Sequence, residues 1–173
     1  ISIIQKVLRD KHDLIIKRGS SRRGIDQLSM RLIRKCPCPI WIVKGKESRE
    51  LTRILGAVDV ATDNQETQLL NKKIVELSYS LAQREGGEAH YLHAWHMQAE
   101  SMLRGPRFKF TDSKIEQMKK QLEKESKENL SSLLESLHIE PRPSNMHVLE
   151  GKTDTVIEKV LESLQIEVLV VGT

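Results

Sequence analysis

The sequence predicts a doubly wound α/β protein. Three observations carry that reading: short, nearly unbroken apolar runs, segments of helical periodicity between them, and regular alternation of the two from residue 53 onward. The runs are DLIIK at 13–17, PIWIVK at 39–44, RILGAVDV at 53–60, AHYLHAW at 89–95, MHVLEG at 146–151 and EVLVVGT at 167–173. A half-exposed antiparallel strand alternates apolar with polar residues. These runs do not, which is the pattern of strands covered by helices on both faces. Their alternation with helices implies parallel strands joined by right-handed crossovers.

Taken in order, residues 1–46 read helix, strand, helix, strand, with helices near 1–11 and 25–35. In 64–83, Leu69, Leu70, Ile74, Leu77 and Leu81 form one apolar stripe, with Asp63 or Asn64 as the helix cap. In 112–138, Ile115, Met118, Leu122, Leu130, Leu133, Leu134 and Leu137 form a second stripe, with MKKQLEKESKENL as the charged outer face. A third comprises Val156, Ile157, Val160, Leu161 and Leu164, opened by Thr153 or Asp154. A weak repeat links VIEKVLESLQIEVLVVGT at 156–173 to IIQKVLRDKHDLIIKRG at 3–19, helix then strand in both. The chain therefore reads as two related units: 1–46, the closing half of a first domain; a linker at 47–52, around GKESRE at 45–50; and 53–173, a second domain lacking its last helix and strand. An apolar fourth strand left as an edge is the reason to expect further residues at both ends of the native protein.

Composition fits a soluble domain: 173 residues, 38% hydrophobic and 30% charged. No run approaches the roughly 18–20 apolar residues of a membrane helix, and Ile1 to Asp10 lack signal-peptide architecture, so the expected location is the cytoplasm. The net charge of +4 is uneven: residues 1–46 hold twelve Lys/Arg against three Asp/Glu, +9, and the remainder carries −5. The basic part either meets an anionic partner or is balanced by the rest of a larger fold. Cys36 and Cys38 flank Pro37, a spacing read as poor for a disulfide between them, and no companion cluster completes a metal site.

At this point the residues resemble a family. RILGAVDV with its aspartate, YLHAWH, EVLVVGT and LIRKCPCPIWIVK are similar to the first, second, fourth and last segments of the universal stress proteins, and the likeness covers essentially the whole chain. HDLIIK and LIRKCPCPIWIVK resemble the first domain of the tandem-domain subgroup of E type. The resemblance implies a Rossmann-like, adenine-nucleotide-hydrolase-like five-stranded parallel sheet of order 3-2-1-4-5. In nucleotide-binding members ATP lies at the carboxyl ends of the strands, where loops diverge at the switch point. Carried over by position, Asp59 is the acidic residue ending the first strand, Ala94 lines the base, and Val171 and Gly172 open the phosphate loop, Gly172 being the first glycine of G-x-x-G, nine residues, G-[S/T/N]. In the first unit the matching stretch is KRGSSRRGIDQLSMRLIRKCP. Gly19 and Gly24 stand five apart there, the later glycine-hydroxyl pair aligns near Asp26 and Gln27, and the stretch is shorter than the family's usual loop. That motif fails, and a carboxylate near phosphates weakens nucleotide binding.

Other residues are weighed the same way. Asp59 either contacts a nucleotide or receives backbone N–H bonds after the first strand. His90, His93 and His96 recur along one strand and are read as sharing a face, a metal-like spacing set against a core role for His93 and a loop role for His96. His12, His138 and His147 read as isolated. Arg18, Arg22 and Arg23 form a basic loop beside Ser20 and Ser21, with no base for a nucleophile and no elbow or HExxH motif. Met97 to Phe110, with Arg104, Arg107, Phe108, Lys109 and Phe110, reads as a flap before the long helix.

The functional reading is a stress-response protein whose two units associate through their final strands as an intramolecular pseudo-dimer, with homo-oligomerisation open. It acts by binding a ligand or partner, with no catalytic site identified. Association with stress survival, DNA damage included, follows from the resemblance alone. One alternative is an ATP switch or slow ATPase in the second unit. Another is an interaction protein whose crevice holds an anionic, lipid-like or small-molecule ligand. Nucleic-acid binding ranks last, because the basic segment has no aromatic platform or recognition helix.

Overall fold

The computed structural model describes residues 2–19, 24–44, 51–97, 100–105 and 110–172. The chain divides into two compact units, Ile1–Arg49 and Glu50–Gly172.

In the first unit, α1 (Ile3–Asp10) opens on a capping box: the Ser2 hydroxyl accepts from the Gln5 N–H and the Gln5 side chain accepts from the Ser2 N–H. It ends on Lys11 in the left-handed region, φ 52°. Strand β1 (Ile15–Arg18) pairs in parallel with β2 (Ile40–Val43), Ile15 opposite Ile40. Between them α2 (Gln27–Lys35) starts at Asp26, whose carboxylate accepts from the Ser29 N–H and hydroxyl. The same carboxylate forms a half-buried ion pair with Lys17 at 2.9 Å. The acidic residue that spoils the glycine-hydroxyl motif is therefore a helix cap.

In the second unit, β3 (Arg53–Ala57), β4 (Glu88–Trp95), β5 (Met146–Glu150) and β6 (Val168–Val171) form one parallel sheet in the order β5-β4-β3-β6. This corresponds to 3-2-1-4 within the unit. A fifth strand is not found in this sheet among the described residues, which instead give a four-stranded and a separate two-stranded sheet. The helices between them are α3 (Gln65–Glu85), the short α4 (Glu100–Leu103), α5 (Asp112–Ser136) and α6 (Thr153–Ser163). Val58, Ile74, Val75, Tyr91, Leu130, Leu134 and Ile139 form the core between the sheet and helices α3 and α5. Leu55, Leu92, Val156 and Val160 form the second core layer, under α6. Both faces of the central strands β3 and β4 are covered, whereas β6, read from its apolar run as covered on both faces, leaves Leu169 and Val171 exposed; each fully buried aliphatic side chain contributes about 1.5–3 kcal/mol.

Helix packing corrects three readings. Leu69 and Leu77 are 61% and 47% exposed, because α3 turns Asn71, Ile74, Val75, Ser78 and Ala82 inward. Small residues are needed there: a Cβ on Gly56 of β3 would lie 2.7 Å from the Ser78 hydroxyl. Leu122 is likewise exposed, with Ser126 taking an inward position on α5. Helix α6 is capped by Lys152 without a side-chain bond, while Asp154 accepts from the Thr155 N–H inside the first turn. Asn64 does cap α3, accepting from the Glu66 and Thr67 N–H groups.

Candidate functional site

The second sheet changes direction at β3: the chain proceeds to β4 and β5 on one side, and β6 lies on the other. Ala57 and Val171 are register partners, so the segments leaving β3 and β6 start side by side at the carboxyl end of the sheet. That is the position where open α/β sheets form a crevice.

Asp59 stands in the segment after β3 with its side chain 64% exposed. Buried Asn71 of α3 clamps its backbone twice, accepting from the Asp59 N–H at 3.1 Å and donating to the Asp59 carbonyl at 2.6 Å. The Ala61 N–H donates to the Asp59 carboxylate at 3.2 Å. Asn129 of α5 donates to the Val60 carbonyl at 3.1 Å. From β4, His93 Nδ1 lies 3.2 Å from the Val58 carbonyl oxygen, 3.4 Å from the Val60 nitrogen and 4.0 Å from the Asp59 carboxylate. Helices and sheet thus fix the segment while leaving one carboxylate in solvent.

The remaining carried-over residues sit around this point differently. Val171 ends β6 with 48% of its surface exposed. Gly172 follows it against Leu70 of α3, which would collide with any Cβ there, so close packing is itself a reason for glycine. Ala94 is half-buried and packs in the layer under α6, whereas Asn71 belongs to α3 on the opposite face. The structure therefore gathers Asp59, Val171 and Gly172 at one end and turns the Ala94 side chain away from the α3 layer.

The histidine spacing needs correcting. Strand side chains alternate, so a three-residue step puts His90 and His93 on opposite faces. His90 Nδ1 meets His147 Nε2 at 3.2 Å, and His147 is therefore not isolated. His93, 3% exposed, lies at the Asp59 segment, and its Nε2 has no protein partner among the described residues. Trp95 Nε1 and the Tyr91 hydroxyl on the same face of β4 share that property, and burial pushes the Tyr91 phenol up. Among the described residues no group of three His, Cys, Asp or Glu side chains is arranged to hold a metal ion.

The segment read as a flap contains α4. Glu100 pairs with Lys119 of α5 at 2.7 Å and with Arg104 at 3.0 Å, while Lys119 also reaches Glu150 at 2.7 Å and Arg104 reaches Asp112. Lys119 and Arg104 hold the Glu100 carboxyl below its ordinary value. Arg107, Phe108 and Lys109, like Ser20, Ser21, Arg22 and Arg23, lie outside the described residues.

The match that settles the family covers residues 50–173, over which the chain fits the Universal stress protein family. The chain belongs to the universal stress protein family. Its likeness to the E type extends further: it is 26% identical to "Universal stress protein E" of Salmonella typhi over 99% of this chain and 54% of that protein. It is 25% identical to the "Universal stress protein E homolog" of Haemophilus influenzae over 99% of this chain and 56% of that protein. With the Escherichia coli K12 protein of the same name it shares 31% identity over 54% of this chain and 32% of that one. The chain thus spans about half the length of the relatives that it matches end to end. Two Pseudomonas aeruginosa crystal structures share its fold at 22% identity, over 99% of this chain and 56% of theirs. One is of a functionally unknown protein, TM-score 0.73, and one of a putative universal stress protein, TM-score 0.70. Among the described residues of this universal stress protein, no helix is long and apolar enough to cross a membrane.

Missed by sequence reasoning were Asn71, Asn129 and the role of His93. The available signal was Asn71 itself, a polar residue between Leu70 and Ile74 on a helix whose inner face must be covered.

Proposed function

We propose that this universal stress protein acts in the stress response by holding a ligand or partner at the carboxyl end of its second unit, without covalent chemistry there. The observation that carries this reading is the exposed Asp59 carboxylate, presented at the β3/β6 switch on a backbone clamped by Asn71. A carboxylate so held accepts hydrogen bonds from hydroxyl or amino groups and costs little to preorganise. Similarity to E-type relatives over 99% of the chain supports reading residues 1–46 as the closing half of a preceding unit.

The second reading is an ATP switch or slow ATPase that uses Asp59, Ala94, Val171 and Gly172. The register of Ala57 with Val171, from which the Asp59 segment and Gly172 both follow at the switch, favours it, and the packing of Gly172 on Leu70 supplies a competing reason for the glycine. Calorimetric titration with magnesium and ATP, after assay for retained nucleotide, separates the two. Saturable binding lost in Asp59→Ala establishes the nucleotide reading. Absence of binding and of retained nucleotide leaves the first, and native mass spectrometry then seeks a retained species that Asp59→Ala releases.

A further inference from the structure

The first unit contains a thiol pair that the Asp59 site does not use. In an extended chain two cysteines flanking one residue share a face but stand about 6.6 Å apart along the strand, whereas here the backbone leaves α2 at Cys36 and bends through Pro37 and Cys38 before β2. The bend brings Cys36 Sγ and Cys38 Sγ to 3.6 Å, a direct thiol–thiol contact, with both residues reduced and half-buried. An intramolecular bond needs the sulfurs to close only to about 2.05 Å.

The second observation is electrostatic. Ile25, Gln27, Met30, Arg31, Arg34 and Lys35 line an open groove along α2, and Lys35 immediately precedes Cys36. Among the described residues, Arg31, Arg34 and Lys35 form no ion pair; of the carboxylates in the same unit, Asp10 and Asp26 are engaged, and Asp13 acts on Cys38. The groove therefore offers three cations to an anion on the helix that runs directly into Cys36.

We propose that Cys36 and Cys38 are a thiol–disulfide exchange site for anionic small-molecule disulfides, bound through the α2 groove. The Cys36 thiolate attacks one sulfur of the incoming disulfide, forming a mixed disulfide and expelling one thiolate. Cys38 then loses its proton and attacks the Cys36 sulfur, forming the Cys36–Cys38 bond and expelling the second thiolate. The protein dithiol is oxidised by two electrons, and the small disulfide is reduced to two thiols. Burial and the hydrogen bond with Cys36 hold the Cys38 thiol above its ordinary value, which fits the later, resolving role.

The test uses the full reduced chain incubated with glutathione disulfide, acid-quenched, alkylated and weighed intact. The expected result is loss of both alkylatable thiols, with no glutathione attached and no covalent dimer, reversed by dithiothreitol. Cys38→Ser is expected to stop as a glutathione adduct on Cys36. The double variant Arg31→Gln, Arg34→Gln is expected to slow the reaction about tenfold with glutathione disulfide but not with neutral 2-hydroxyethyl disulfide. A wild-type chain that keeps both thiols, or accumulates the adduct, while Cys38→Ser reacts would overturn the exchange site. Equal slowing with both disulfides would overturn the anionic preference.

Discussion

His90 Nδ1 and His147 Nε2 face each other at 3.2 Å across β4 and β5, with Glu88 3.9 Å from the far nitrogen of His90. Burial, then the adjacent His90, holds the His147 imidazole below its ordinary value. A base depressed in the folded state stabilises the protein above its unfolded value, about 6.5, and that contribution is lost as pH falls through the lower folded value. Urea midpoints should therefore drop as pH falls below about 6.5, and His147→Gln should flatten that part of the profile. An unchanged profile in the variant would assign the acid loss elsewhere.

Asn71→Ala should destabilise the second unit by about 2–3 kcal/mol, because it removes both bonds to the Asp59 backbone and leaves an amide and a carbonyl short of partners. Asn71→Asp keeps the acceptor for the Asp59 N–H but turns an oxygen toward the Asp59 carbonyl, and should not rescue. Denaturant titration measures both, and a cost under about 0.5 kcal/mol for the alanine would show that the clamp is dispensable.

Gly56→Ala should cost about 1–3 kcal/mol, since the new methyl meets the Ser78 hydroxyl at 2.7 Å and the Ile74 side chain at 3.3 Å. Ser78→Ala removes the nearer obstacle. The double variant should be more stable than Gly56→Ala alone, and a strictly additive pair would mean that the contact with Ser78 is not the cause.

The same helix shows what was legible in the sequence. The strands were, because each of the six forms on a continuous apolar run, although only β3 and β4 are buried on both faces and β1 and β6 expose alternate side chains. The α3 stripe was only partly so: Leu69 and Leu77 satisfy helical spacing yet face solvent, because Gly56 lets the helix approach so closely that Asn71, Ser78 and Ala82 fit inside instead. Hydrophobicity registers how apolar a side chain is, not how much room its partner leaves. At the candidate site the Asp59 position was readable from its place at a strand end. Its support from Asn71 and Asn129 was not, since those contacts span 12 and 69 residues and depend on the fold. The His90–His147 meeting spans 57 residues and was hidden for the same reason.

Glu167 accepts from the Arg53 N–H at 3.0 Å and from the Thr52 hydroxyl at 3.2 Å, and these bonds hold its carboxyl below the ordinary value. The contribution is present above the unfolded carboxylate value and lost as pH falls through the folded one. Glu167→Gln should lower the melting temperature near neutrality and narrow the difference from wild type in acid. A constant difference at every pH would exclude the charge as the cause.

The sequence holds two tryptophans, and the fold assigns one to each unit: Trp41 in β2, half-buried, and Trp95 in β4, 8% exposed. Each unit consequently carries its own intrinsic fluorophore. Replacing either indole with phenylalanine yields a chain whose emission reports one unit alone. Whether the two lose structure in a single transition or in succession then becomes a matter of overlaying two optical melts, with no label attached.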